Sequence, residues 1–267
     1  MNVPMERRLL RAFGKTDLGL VRETNEDAFG MIDLSTGQRW QRCSETPIEW
    51  FTTPAGVLLS VSDGMGGAKA GEVASALSVE SVLDGMLSAA QLVQPNGETL
   101  RHVVERASQR VYEAGRRRAD RKGMGATLTA VLLSGTMAYV AQIGDSRAYL
   151  LRSGQIGQIT RDQSYVQLLV DAGVMTPEEA SSSPRRNVIL QVMGQEAVRV
   201  ALGRIDVRAG DRLLLCSDGL TNFIDDETLN LVAKAPNHLG LACQELVTRT
   251  LDIGAPDNVT VIVAEVA

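Results

Sequence analysis

ATLTAVLLSGTMAYVAQIGDSRAYLLRSGQIGQIT, residues 126–160, is rich in apolar and β-branched residues and is interrupted at Ser134-Gly135, Gly144-Asp145 and Ser153-Gly154. Strand-length apolar runs divided by two-residue turn signals predict successive hairpins, an antiparallel meander. Upstream the period changes. Ala76, Val79, Leu83, Met86 and Ala90 fall three and four residues apart and predict a helix from Glu72, and Leu100, Val104, Ala107, Val111 and Ala114 predict a second, joined to it by the turn QPNGE at 94–98. Before these helices, residues 13–32 read as two strands around the polar turn RETNED (22–27), and 57–62 reads as another strand. Between them, residues 35–54 are polar, carry both tryptophans (Trp40 and Trp50), and read as a loop or an extended hairpin. Downstream, 162–194 holds short helical patterns, QSYVQLLVDAG and TPEEA, followed by the polar SSPRRN, and stands as an insertion between strand regions. A strand at 212–216, helices at 225–234 and 240–251 and a strand at 258–266 complete the chain. Paired helices and hairpin strands, without regular alternation, predict an α+β protein of antiparallel sheets with helices packed outside them.

The chain has 267 residues, 44% hydrophobic and 22% charged, which suits one domain with a substantial core. Its longest apolar runs are strand-sized, so no membrane span is expected, and the N-terminus lacks the apolar stretch of a secretion signal, which points to the cytoplasm. A net charge of -5 gives no general attraction to nucleic acid, and the basic run RRRADRK (116–122) reads as a helix end, where cations suit the dipole. Cys43, Cys216 and Cys243 are odd in number and far apart, which fits neither a disulfide framework nor a thiolate zinc site; they read as small buried side chains. With only His102 and His238, both in helical segments, histidine triads and histidine-rich metal sites are excluded. Any metal must be held by oxygen.

Oxygen is available in a repeated design. LLSVSDG, YVAQIGDS and LLLCSDG each end an apolar strand on a small residue and an aspartate (Asp63, Asp145 and Asp218), and APDN places Asp257 just before the last strand. One such aspartate is an ordinary turn residue. Four at strand ends can be gathered by a sheet into one cluster, where they repel unless cations neutralise them, and histidine-free carboxylates suit Mg²⁺ or Mn²⁺. The glycines after Asp63, in GMGGAKAG, have two uses. They can admit a phosphate, with Lys69 supplying charge, although Ala70 stands where a phosphate loop needs Ser or Thr. The favoured use brings a backbone carbonyl beside a metal at Asp63. In RETNED, Arg22 is a fork donor able to grip phosphate, followed by Asn25, Glu26 and Asp27, while the stretch also suits a solvated turn.

These motifs, in order, resemble the metal-dependent serine/threonine protein phosphatases of the PPM type, or protein phosphatase 2C, in their bacterial form. The resemblance runs through RETNED, SDGMGG (62–67), GATLTA (125–130), IGDSRAYLLR (143–152), ITRDQS (159–164), CSDGL (216–220) and PDNVTVIV (256–263). It implies a four-layer α/β/β/α sandwich with a metal centre at one end of two antiparallel sheets, in a single domain spanning 1–267 with a flap at about 162–194 and a loop insertion at about 35–54. It further implies that Asp63 bridges two Mn²⁺ or Mg²⁺ ions, that the Gly64 carbonyl binds the second, and that Asp218 and Asp257 complete the first. Glu26 and Asp27 would act largely through metal-bound waters, Arg22 would hold the phosphate, and Asp145 with Asp218 would take a third ion that Asn187 of the flap could touch. The implied reaction is hydrolysis of protein phosphoserine and phosphothreonine by a metal-activated water, opposing a bacterial serine/threonine kinase.

Three positions depart from the family's pattern. Met65 stands where eukaryotic members carry a histidine proposed to protonate the leaving oxygen, which leaves that acid unassigned here, and Gln163 and Ser183 stand where bacterial relatives often have histidine. The alternatives are a non-catalytic phosphoprotein-binding module on the same fold, which loss of the aspartates would have favoured, and a nucleotide-binding protein, which lacks the lysine-hydroxyl pair it would need. The tryptophan-bearing segment reads as a packed hairpin tip in preference to a partner-recognition loop.

Overall fold

A computed structural model describes residues 8–43, 46–65, 70–234 and 239–267. Gly66, Gly67, Lys69 and His238 lie outside the described residues. The chain opens with β1 (Leu9–Asp17), β2 (Asp27–Asp33), β3 (Arg39–Trp40), β4 (Ile48–Phe51) and β5 (Val57–Met65), then a helix pair, α1 (Ala70–Ala90) and α2 (Gly97–Arg117). There follow β6 (Gly125–Ala126), β7 (Leu128–Ser134), β8 (Met137–Ile143), β9 (Arg147–Arg152) and β10 (Gln155–Gln158), then α3 (Tyr165–Asp171) and α4 (Pro177–Ser182). The remainder is β11 (Ala201–Asp206), β12 (Arg212–Cys216), the single turn α5 (Asp218–Thr221), α6 (Asp226–Ala233), α7 (Leu239–Asp252) and β13 (Val259–Val266).

The strands form two sheets, one in the order β10-β9-β12-β13-β1-β4 and one in the order β11-β8-β7-β5-β2-β3 with β6 beside the end of β5. Every pairing is antiparallel. The layering follows from period-two alternation, because successive strand residues face opposite sides of a sheet. Along β13, Ile262, Ala264 and Val266 enter the core between the sheets, while Val259, Val261 and Val263 enter a core with Leu246 and Val247 of α7. Along β7, Val131 and Leu133 face the other sheet, while Leu128, Ala130 and Leu132 meet Val79 and Leu83 of α1 and Val104 of α2. Three cores therefore separate four layers, and the strands at their centre are apolar on both faces. The fold is the expected α+β sandwich.

Four sequence expectations change. Residues 126–160 are two hairpins in different sheets: β7 pairs with β8 in one, β9 with β10 in the other. The Gly144-Asp145 signal is a crossing between sheets, made where Gly144 adopts φ of +97°. Residues 35–54 are also not one hairpin, since β3 pairs with β2 and β4 with β1, so each sheet receives one edge strand. Trp40 and Trp50 meet edge-on at 4.9 Å between centroids, with Trp50 in the inter-sheet core, so the segment packs inward. β11, an edge strand beside β8, goes unread in the sequence because no residue in it is fully buried and no apolar run marks it. Cys43 is exposed, whereas Cys216 and Cys243 are buried as expected.

The helices hold with adjustments. On α1, Val79, Leu83 and Met86 are buried, but Ala76 is exposed, and the buried face is completed by Ala74, Ser75, Ser78 and Val82. Among the described helices α1 alone is long and apolar enough to cross a membrane by length and composition; it packs against β5, β2 and α2. Asn96 caps α2 through a reciprocal bond with Thr99, and Arg116 and Arg117 end it, as the basic run implied.

Candidate metal centre

Strand register carries the acidic residues to one end of both sheets. In the β2–β5 pair, Asp27 stands opposite Asp63. Cys216 pairs with both Arg147 and Val261, so Asp218, just beyond β12, Asp145, just before β9, and Asp257, just before β13, leave the other sheet at a common end. Asp63 and Asp218 lie within side-chain hydrogen-bond reach of each other. Asp27, Asp145 and Asp257 act electrostatically on this pair.

The backbone around them is locked by close packing and small polar groups. A Cβ on Gly64 would lie 2.1 Å from the Gly71 carbonyl in the first turn of α1 and 2.6 Å from the Glu26 carbonyl, which already accepts the Gly64 N–H at 3.0 Å. Gly219 is held as tightly, for its Cβ would lie 1.9 Å from the Asn258 carbonyl. Only glycine lets α5 reach the start of β13 in this way. Ser217 donates to Asp27 Oδ2 at 2.7 Å, and Asn222 donates to Asp218 Oδ2 at 3.0 Å. The Asp63 N–H donates to Thr127 Oγ1 at 2.8 Å, and that hydroxyl lies 2.6 Å from Ser146 Oγ at the sheet crossing. Asn258 accepts the Glu26 N–H at 2.7 Å and donates to the carbonyls of Leu18 and Thr24, which ties RETNED to the PDN turn.

Electrostatically the site is overloaded with acid. Burial, opposed by Ser217 and reinforced by Asp218 and Asp257, pushes Asp27 up to about 7. Burial and the nearby Asp218 and Asp162 push Asp145 up to about 8. Burial raises Asp63 well above the carboxylate range, with Asp27, Asp218 and Asp145 adding repulsion, and burial likewise raises Asp218. Glu26 is raised by burial against the pull of Arg22. The counter-charges are arginines at the margins. Arg22 donates to Asp257 Oδ2 at 2.8 Å, and the side chains of both are partly exposed. Arg147 makes a forked contact with Asp162, at 3.0 Å from Nε and 2.7 Å from Nη2, at the root of the segment bearing α3 and α4.

The donor set fits a hard divalent cation. Its carboxylates lack compensating charge, and Asp145 Oδ1 is buried without any hydrogen-bond partner. Among the described residues no three acidic, cysteine or histidine side chains converge tightly enough to form a metal cage unaided. Beside the cluster lies a cleft of about 610 Å³ lined by Asp145, Asp162, Asp218, Asn222 and Asn187, among others. The structure thus brings Arg22, Glu26, Asp27, Asp63, Gly64, Asp145, Asp218 and Asp257 to one end of the sandwich, and places the exposed Asn187 in the lining of the adjoining cleft. Sequence reasoning passed over Thr127, Ser146, Arg147, Ser217, Asn222 and Asn258. All but Asn222 stand inside the motifs quoted above, so the signal was present without a role attached.

Residues 42–255 match the family described as Protein phosphatase 2C. The chain is 38% identical over 261 residues to the serine/threonine protein phosphatase PstP of Mycobacterium tuberculosis, covering 97% of this chain and 45% of that protein, so it spans less than half of that relative's length. It is 32% identical over 254 residues to the serine/threonine phosphatase stp of Listeria welshimeri, covering 94% of each. Among solved structures it resembles the catalytic domain of PstP in complex with two manganese ions, with a TM-score of 0.79, 36% identity and coverage of 97% and 99%.

Proposed function

The chain belongs to the protein phosphatase 2C family, and from that premise we propose that it hydrolyses phosphoserine and phosphothreonine in proteins with two divalent cations, Mn²⁺ or Mg²⁺, at this end of the sandwich. One observation carries the proposal: both sheets deliver buried carboxylates to one place, where burial and mutual repulsion raise their affinity for protons and make a bound cation favourable.

In this reading Asp63, the Gly64 carbonyl, Asp218 and Asp257 would hold the ions, which would supply positive charge to the cluster. Glu26 and Asp27 stand one layer out, and the Ser217 hydroxyl fixes the orientation of Asp27. Bound cations would supply Lewis acidity toward water and toward the phosphoryl oxygens. The protein's own part is orientation. Arg22, anchored by one nitrogen to Asp257, presents its fork at the solvent side of the cluster, where it would orient the phosphate and balance its charge. Met65 carries no transferable proton, so the leaving oxygen takes its proton from elsewhere.

We further assign residues 162–194 as a flap rooted by the Arg147–Asp162 pair, and a third ion to Asp145 and Asp218, with Asn187 lining the same cleft; the unpartnered Asp145 Oδ1 supports this reading. Residues 35–54 are an insertion that straps both sheet edges. Phosphoserine and phosphothreonine in proteins arise from serine/threonine kinases, so such a kinase is the expected opposing partner. Unpaired cysteines suit a cytoplasmic place of action.

The test is phosphate release from a phosphothreonine peptide with Mn²⁺, with EDTA, and after Asp218→Asn. Activity should require metal and fall at least about tenfold in the variant, equal to a loss of ~1.4 kcal/mol of transition-state stabilisation. Turnover without metal would refute the mechanism. Tight phosphopeptide binding with no turnover would instead select a regulatory module.

A further inference from the structure

Most exposed apolar side chains on this molecule are scattered, as on any protein surface. Leu20 and Val21 are consecutive, 65% and 67% exposed, and immediately precede Arg22. Leu92 and Val93 are also consecutive and exposed, and what sets Leu20 and Val21 apart is their place beside Arg22. Their backbone is pinned, since the Leu20 N–H donates to the Ala255 carbonyl at 2.9 Å, Asn258 holds the carbonyls of Leu18 and Thr24 on either side, and Arg22 is tied to Asp257. The turn that accepts Leu20 also carries Ile253, 54% exposed, two residues before Ala255. An apolar ridge is therefore held rigidly beside the candidate phosphate-holding arginine, on the same loop and at the edge of the carboxylate cluster.

We infer that Leu20 and Val21 select polypeptide substrates with a large apolar side chain one or two residues from the phosphorylated serine or threonine. The inference rests on the phosphatase reading above and sharpens its substrate class. Consecutive Cα atoms stand about 3.8 Å apart in enzyme and substrate alike. A polypeptide whose phosphate is held by Arg22 therefore passes within a few residues' reach of the exposed Leu20 and Val21. The ridge is already ordered, so covering it costs the enzyme little conformational entropy.

The experiment compares two peptides, identical except that the residues on both sides of phosphothreonine are leucine in one and serine in the other. Binding is read by fluorescence anisotropy with Mn²⁺ present, using phosphonate analogues that cannot be hydrolysed, and turnover is read with the matching phosphate peptides. The wild-type protein should bind the leucine-flanked analogue about tenfold more tightly, a preference of ~1.4 kcal/mol. Covering roughly 55 Å² of apolar surface supplies that much. In Leu20→Ser/Val21→Thr the ratio should fall toward one, with circular dichroism checking the fold and Ile253→Ser as a second variant expected to lower the ratio in part. Equal binding of the two analogues by the wild-type protein, or an unchanged ratio in a folded Leu20→Ser/Val21→Thr variant, would overturn the inference. Absence of phosphate release with the binding preference intact would refute the phosphatase reading while upholding the ridge.

Discussion

Without metal, the protein should lose stability as pH rises, the opposite of what paired carboxylates do. Asp27 lifts from 3.8 to about 7 and Asp145 from 3.8 to about 8 on folding. A group whose folded value is raised leaves stability intact below its unfolded value, and stability is lost as pH climbs through the folded value. Between pH 5 and 8.5, Asp27 contributes about two pH decades of this loss and Asp145 about three. At ~1.4 kcal/mol per decade the two reach an upper bound of ~7 kcal/mol, a large part of the roughly 5–15 kcal/mol that holds an ordinary domain together. Ion-paired carboxylates such as Asp211 beside Arg152 have lowered values, so their contribution is complete by pH 5 and flat across the window. The assay is urea unfolding in EDTA at pH 5 and pH 8.5, repeated with saturating Mn²⁺. The metal-free midpoint should fall by the equivalent of at least ~3 kcal/mol, and Mn²⁺ should restore it most at pH 8.5. Asp145→Asn should weaken the pH dependence, removing the larger part of the share that Asp27 and Asp145 together contribute. A metal-free protein equally stable at both pH values, or more stable at pH 8.5, would refute the view that uncompensated carboxylate charge dominates this end of the fold.

Two further substitutions test the framework. Gly219→Ala should destabilise by more than ~3 kcal/mol in thermal unfolding and abolish Mn²⁺-dependent stabilisation, because the added Cβ would sit 1.9 Å from the Asn258 carbonyl and push the Asp218 turn away from β13. Arg147→Met should cost about 1–3 kcal/mol by leaving the partly buried Asp162 with only Gln158 as donor, and adding Asp162→Asn to it should recover part of that loss; an additive double variant would show that the pair does not act as a unit.

The site was legible in the sequence where local rules and tertiary placement agree. Asp63 and Asp218 end apolar strands, and a strand that is apolar on both faces, such as LLLC before Asp218, must be central in a layered fold. Its end therefore opens on the middle of the sandwich edge. What failed to show was which strands share a sheet. Gly144-Asp145 carries the same turn chemistry whether the chain doubles back or changes sheet, and only the two faces already committed by β8 and β9 decide. β11 was invisible because an edge strand with one face toward water needs no apolar run. The hydroxyls of Thr127 and Ser217 look like ordinary strand residues, and their role appears only when register sets them against Asp63 and Asp27.

The segment that supplies β3 and β4 has a consequence for how this protein can fail. Both short strands sit at the same side of the sandwich, one on each sheet, and are secured to neighbouring elements by the Arg39–Asp84 and Arg11–Glu49 ion pairs. Detaching this one stretch would bare the hydrogen-bonding edges of β1 and β2 together. Two parallel seams would then be open to strands from other molecules, and polymerisation would proceed through both sheets at once. Such a loss would add two open edges to those that β10 and β11 already form, at a stretch that contributes nothing to the chemistry at the sheet ends.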